Sequence, residues 1–410
     1  MMNLQENLKK YANLILKVGL NVQPGESILL HLDEHSLPLA REIARQAYKM
    51  GVHMIQTVFA DDEMTLARFL NAPDEAFDTF SPFIADFSEA AYNSNYHQIR
   101  LSAPNPELLK AADPKRISRW LKASAKATER LMPYVMENKV KWTIAALPSP
   151  VWAKSVFPDL DEEDAVNALW EKIFQVTRVD QEDPVAAWDA HAKALKRHSD
   201  LLNDYNFEKL IYQGPGTDLE VYLPEGHQWL GGASVHKSGA AFMPNIPTEE
   251  VFSMPHADKV NGTLSATMPL STRGRLIEGM RFVFKDGAVV DFDATHGKDI
   301  LQDMLDTDEG ARRLGEVALV AHDSPISQTG LLFKNTLFDE NASCHFALGR
   351  AYSENHVRGT EMNEEEKKQA GMNESLIHVD FMVGGPELNI TGVKHDGTQV
   401  NILVNGNWVI

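Results

Sequence analysis

Between residues 27 and 147, short apolar runs alternate with amphipathic stretches of helical period, and this alternation restricts the fold more than any other feature of the chain. Ser27-Ile28-Leu29-Leu30-His31-Leu32 follows a Pro24-Gly25 turn and reads as a buried strand. Residues 37–50 have helical spacing and are closed by Gly51, a residue suited to the left-handed position after a helix. Residues 52–59 read as the next strand, and 61–70 as a helix with an acidic start. Residues 98–102 and 140–147 read as further strands, with a long helix over about 114–137 between them. Such alternation implies βαβ units and a largely parallel sheet. Ahead of it, Leu8, Tyr11, Leu14, Ile15 and Val18 fall at helical spacing and predict an amphipathic first helix.

The texture then changes. Residues 159–206 are almost wholly helical in pattern. After Phe207 strands dominate, at 209–214, 219–223, 281–285 and 288–293, interrupted by helices over about 300–315, 341–352 and 364–371. The expected architecture is an α/β N-terminal domain, residues 1–205, followed by an α+β C-terminal domain, residues 206–410, carrying any metal site. Gly214-Pro215-Gly216-Thr217-Asp218-Leu219 is glycine-rich, and its simplest reading is a turn between two strands. No phosphate-binding loop, dinucleotide fingerprint, His-Glu-x-x-His or nucleophile elbow is present.

Charge and cysteine content narrow the function classes. There are 39 basic and 58 acidic residues, a net charge of −19 with histidine neutral. A field of that sign disfavours nucleic acid and anionic membrane surfaces as partners and attracts cations, although solubilising charge is the simpler explanation of it. One cysteine, Cys344, excludes an intrachain disulfide and a cysteine-rich zinc site. The N-terminal residues do not resemble a secretory signal, and the expected location is cytoplasmic.

The candidate chemistry lies in the second half. In Leu376-Ile377-His378-Val379-Asp380-Phe381-Met382-Val383, strand alternation puts His378 and Asp380 on one face and apolar residues on the other. A histidine and an aspartate side by side suit a divalent cation; a polar face meeting water is the plain alternative. Asn341-Ala342-Ser343-Cys344-His345-Phe346-Ala347-Leu348-Gly349-Arg350-Ala351-Tyr352 reads as a helix, with His345 and Tyr352 sharing a face and Asp339 and Glu340 in capping position. Glu316 opens an apolar run and needs a partner if buried: a cation, Arg312 or Arg313, or solvent. Glu249 and Glu250 follow a proline-rich loop. His31, His53, His97, His191 and His198 show no carboxylate at ligand spacing and are expected to be structural or solvated. Glu250, Glu316, Glu340, His345, His378 and Asp380 together form a carboxylate-rich set with two imidazoles, suited to two divalent ions about 3.5–4 Å apart.

Four ordered blocks carry a resemblance. Pro247-Thr248-Glu249-Glu250-Val251-Phe252, Leu314-Gly315-Glu316-Val317-Ala318-Leu319-Val320, Asn335 through His345, and Ile377-His378-Val379-Asp380-Phe381-Met382 closely resemble the aminopeptidase T / aminopeptidase S (PepS) family of bacterial dinuclear metalloaminopeptidases. The 214–219 turn also looks like that family. The resemblance implies two divalent ions per chain (zinc, cobalt or manganese), held by Glu250, Glu316, His345, His378 and Asp380, with Glu316 as the bridge and Glu340 as a further matching position. It implies a site tyrosine at Tyr352, peptide substrates with a free N-terminus, and a homodimer. Glu249 and Glu340 are the two candidates for the proton shuttle. A metal-dependent hydrolase of another bond, or a non-catalytic binding protein on the same fold, are the competing expectations.

Overall fold

The computed structural model describes residues 3–272 and 275–410. The chain forms two compact units: one from the residues up to Ala190 with Ala233–Pro247, the other from His191–Gly232 with Thr248–Ile410. This division differs from a single cut near residue 205. Helix Pro184–Tyr205 runs unbroken through the changeover, and Asn245–Ile246 returns to pair with the N-terminal sheet.

In the first unit five strands pair in parallel, in the order Asn245–Ile246, Trp142–Ala146, Tyr96–Ser102, Ser27–Leu32, Met54–Phe59. Ile28, Leu29 and Leu30 are buried in succession, as expected of a central strand covered on both faces. The first helix, Leu4–Leu14, is capped by Asn3, whose side chain accepts from the Glu6 N–H, and buries Leu8, Tyr11, Ala12 and Leu14. The Tyr11 hydroxyl donates to the Ala146 carbonyl at 3.0 Å, tying helix to sheet. The expected helix over 114–137 is broken. It comprises Pro114–Thr128, a 3₁₀ turn Glu129–Leu131 and a short piece Met132–Met136 that begins around Pro133, which has no N–H to continue the ladder. His97 is not free of carboxylates either: its Nε2 lies 3.2 Å from Glu26, which also pairs with the fully buried Lys141 at 2.7 Å. That partnership joins residues 71 positions apart, so local spacing could not reveal it.

Among the described residues the second unit holds a two-stranded sheet, Leu270–Thr272 with Arg275–Ile277, and two large antiparallel sheets. The larger has eight strands in the order Ala288–Asp293, Arg281–Lys285, Val260–Ser265, Thr217–Tyr222, Lys209–Gly214, Asn389–Val393, Gln399–Val404, Asn407–Trp408. Within it, Gly214 and Thr217 face each other across the two-residue Pro215-Gly216 turn, as the glycine-rich stretch predicts. The smaller has five, in the order His378–Met382, His345–Gly349, Leu314–Leu319, Val251–Ser253, Leu230–Gly231. Aromatic residues join the two sheets: Tyr212 packs on Phe346 and Phe282 on Phe381, each with ring centroids 5.0 Å apart. Core packing therefore takes one face of the five-stranded sheet and leaves the opposite face for polar side chains.

Two expected helices are replaced. The helix over 300–315 ends at Leu305, and Leu314–Leu319 is a strand. The helix over 341–352 is absent. Thr336–Asp339 forms one helical turn, Glu340–Ala342 a 3₁₀ turn, and His345–Gly349 a fully buried strand. Asp339 does not cap a following helix. Its carboxylate turns back to accept from the Phe333 and Asn335 N–H groups at 2.7 and 2.9 Å. Tertiary burial of Phe346 and Leu348 decides the strand over local helix propensity.

Candidate metal centre

The polar face of the five-stranded sheet follows from register. Ala318 lies opposite His345 and His345 opposite Met382; Ala347 lies opposite Asp380, and Gly349 opposite His378. Directly paired residues share a face, so His345, His378 and Asp380 project to one side while Phe346 and Phe381 project to the core. Glu316 reaches the same side by regular pairing, directly after an irregularity. Leu314 pairs with Leu348, yet Glu316 pairs with Ala347, so one extra residue is accommodated at Gly315. The bulge turns Leu314 to the core although it lies only two residues before Glu316. Only glycine fits there, since a Cβ on Gly315 would lie 2.2 Å from the Gly349 carbonyl oxygen. Glu250 precedes strand Val251–Ser253 and alternates with Val251, which points to the core. Ala318, Ala347 and Gly349 leave the floor between these groups clear of bulky side chains.

The acids and imidazoles form two groups of three that share one residue. Glu250, Glu316 and His345 make the first; Glu316, His378 and Asp380 make the second; within each group the ligand atoms lie within 4.8 Å of one another. His345 Nε2 is 3.2 Å from Glu250 and 3.4 Å from Glu316 Oε1. His378 Nε2 is 3.4 Å from Glu316 Oε2 and 3.3 Å from Asp380 Oδ1. Glu316 thus offers one oxygen to each group. The other ring nitrogens are anchored on carbonyls: His345 Nδ1 to Ser343 at 3.2 Å and His378 Nδ1 to Arg350 at 2.7 Å. Each ring then presents Nε2 to the acids, the arrangement that orients metal-binding histidines. Glu316 is 4% exposed and His345 1%, so water does not satisfy them. Asp380 Oδ1 is buried without a hydrogen bond, although His378 Nε2 lies 3.3 Å away. Neither arginine reaches Glu316: Arg312 pairs with Asp306 and Arg313 with Asp258.

Electrostatics describe a site short of positive charge. Burial acts to raise the Glu316 carboxyl, but hydrogen bonds from His345 and His378 outweigh it and bring it down to about 2. Burial acts to lower His378, but Asp380 and Glu316 outweigh it and push the imidazole up to about 11. His345 is raised well above the usual imidazole range: burial opposes, and Glu250 and Glu316 prevail. Glu250 is raised by burial against the pull of His345. Two protons on the imidazoles thus stand in for cationic charge, and the donor set, an orphaned carboxylate oxygen among it, fits divalent ions.

Glu340 belongs to neither group. Its carboxyl is raised well above the usual range by burial and by Asp380 and Glu250, and it accepts only a long 3.4 Å contact from the Asn341 amide among the described residues. Tyr352 sits beside the site by a route unlike the expected helix face: it lies beyond the His345–Gly349 strand, with its ring 4.6 Å from that of His378. Burial, then the site carboxylates, hold its hydroxyl protonated. Three residues not singled out as site members also converge here. Asn341, fully buried, accepts from the Glu249 N–H at 2.7 Å. His191 pairs with Glu249 at 3.5 Å, contrary to its expected isolation. Glu354 sits on the turn after Tyr352 and raises no local signal in the sequence.

A family model, described as thermophilic metalloprotease (M29), matches residues 4–408.

The chain belongs to the M29 metalloprotease family. Full-length relatives agree with M29 membership. Aminopeptidase 2 of Geobacillus stearothermophilus is 46% identical over 404 residues, covering 98% of each chain. Aminopeptidase T of Thermus thermophilus is 42% identical and aminopeptidase PepS of Streptococcus thermophilus 41%, each match covering at least 99% of both chains. The solved structure of wild-type AmpT from Thermus thermophilus superposes with a TM-score of 0.94 at 41% identity, covering 99% of this chain and all of that one. The match extends through the parallel sheet of the first unit and the antiparallel sheets of the second.

Proposed function

We propose that this M29 metalloaminopeptidase releases N-terminal amino acids from peptides, using two divalent ions that share Glu316. The observation that carries the reading is the pair of three-residue donor groups with Glu316 common to both. Glu250, Glu316 and His345 would hold one ion, and Glu316, His378 and Asp380 the other. Zinc, cobalt and manganese all suit this mixture of carboxylate and imidazole. When bound, the ions supply Lewis acidity toward a scissile carbonyl and acidify a water at neutral pH.

The chain's own residues supply the remaining steps. The Tyr352 hydroxyl, held protonated, donates a hydrogen bond to the oxyanion that develops on the carbonyl. Glu340 takes the proton of the attacking water on a carboxylate oxygen and delivers it to the leaving amine. Its poor hydrogen bonding favours it over Glu249, whose carboxylate already faces His191. The buried imidazoles hold the carboxylates at fixed spacing and exclude bulk water from the floor of the site. A cytoplasmic homodimer completes the proposal: the single thiol, Cys344, is free and buried.

Elemental analysis paired with hydrolysis of a leucyl anilide tests this reading. The expected outcome is about two ions per chain, with turnover lost to a chelator and restored by metal. Glu316→Gln and His378→Ala should remain folded, bind fewer ions and lose turnover by roughly a hundredfold or more. Wild-type turnover in both variants would refute the assignment.

A further inference from the structure

Glu354 presents a half-buried carboxylate that no side chain or backbone N–H among the described residues meets. It lies on the 3₁₀ turn Ser353–Asn355, directly after Tyr352. That turn is pinned from two sides. The Gln228 N–H donates to the Asn355 carbonyl at 2.8 Å, and Gln228 Nε2 to the Glu354 carbonyl at 2.7 Å. Asn355 Nδ2 donates to the Phe252 carbonyl at 3.3 Å, on the strand that follows Glu250. Phe252 and Tyr352 rings meet edge to face at 6.3 Å, and Tyr352 in turn packs on His378. The backbone of Glu354 is therefore fixed against the rim of the metal centre.

Its side chain is half-buried and, among the described residues, has no hydrogen bond or ion pair. Burial and then the charge of Glu316 push its carboxyl upward. An acid held near other acids, partly out of water and without a cationic neighbour, costs stability. It stands apart from both three-residue groups, so it offers a single carboxylate rather than a cage for a third ion. The chemistry that fits is a primary ammonium arriving with the ligand.

We propose that the Glu354 carboxylate receives the α-ammonium of the substrate's first residue and so restricts cleavage to the free N-terminus. The inference rests on the aminopeptidase reading. A charged contact equal in ground and transition states acts on KM and leaves kcat unchanged.

The test compares metal-loaded wild-type protein with Glu354→Gln, which removes the charge and keeps the shape. On a leucyl anilide, KM should rise by about tenfold or more while kcat stays within about twofold. Leucinol and its des-amino analogue 4-methylpentanol serve as probes of binding by calorimetry. Wild-type protein should favour leucinol, Glu354→Gln should lose that preference, and Glu354→Asp should retain part of it. An undiminished preference for leucinol in Glu354→Gln overturns the proposal, as does equal weakening of both probes, which marks a structural role. Should Glu354→Gln not fold, a reduced preference with wild-type folding in Glu354→Asp supports the proposal, and an unaltered preference overturns it. Absence of anilide hydrolysis by wild-type protein is a different result, for it removes the aminopeptidase reading itself.

Discussion

At the scale of single residues, protons and metal ions compete for the same nitrogen atoms. In the metal-free protein His378 titrates at about 11 and His345 well above its ordinary range, because burial is outweighed by the facing carboxylates. Both rings are imidazolium at neutral pH, whereas ligation requires neutral imidazole. The sign follows: metal uptake releases protons, and apparent affinity increases as pH rises, by about tenfold per unit for each proton displaced. Zinc titrations in buffers of differing ionisation enthalpy between pH 6 and 8 measure this release. Uptake without proton release would mean that the imidazoles are not ligands. The chemical types of these residues were legible along the chain, His378 and Asp380 by strand alternation and the whole set through four ordered blocks. The partnership of His191 with Glu249 was not, since 58 residues separate them and only tertiary folding joins them.

Among elements, the bulge at Gly315 sets how the strand enters the site, turning Leu314 to the core immediately before the shared ligand. Gly315→Ala places a methyl group 2.2 Å from the Gly349 oxygen and 2.4 Å from that of Arg350, both backbone atoms with no freedom to yield. The expected cost is on the order of 3 kcal/mol, with turnover falling further than stability because the shared ligand is displaced. Thermal unfolding and anilide turnover measure the two effects, and unchanged turnover would show that the bulge is dispensable. Sequence pattern found four of the five parallel strands, short runs spaced between helical stretches, and missed Asn245–Ile246, which is only two residues long and far along the chain. It misassigned 341–352 because small residues after an acidic pair imitate a capped helix. The pairing of His345–Gly349 between two strands is a non-local fact. A bulge is equally invisible along the chain: Leu-Gly-Glu-Val-Ala-Leu reads as an ordinary apolar run until its neighbour's register is known.

For the whole molecule, ligand binding and folding are linked. The donor groups draw on residues from Glu250 to Asp380, so they exist only in the folded second unit. At free metal about a hundredfold above Kd, one site adds about 2.7 kcal/mol to stability. Calorimetry before and after chelation should show a lower unfolding midpoint for the stripped protein. No shift would mean that the ions bind folded and unfolded chains alike.

The segment Ala233–Pro247 belongs to the first unit although it interrupts the second, and Glu250 follows it by three residues. Strand Asn245–Ile246 completes a sheet whose other members all lie before residue 147. A gene cut at the helix near residue 205 would leave that sheet short of its last strand, and the separated half would carry an orphan strand beside its first acidic donor. Such a chain resists modular exchange. Its halves cannot be shuffled by recombination at one junction near residue 205.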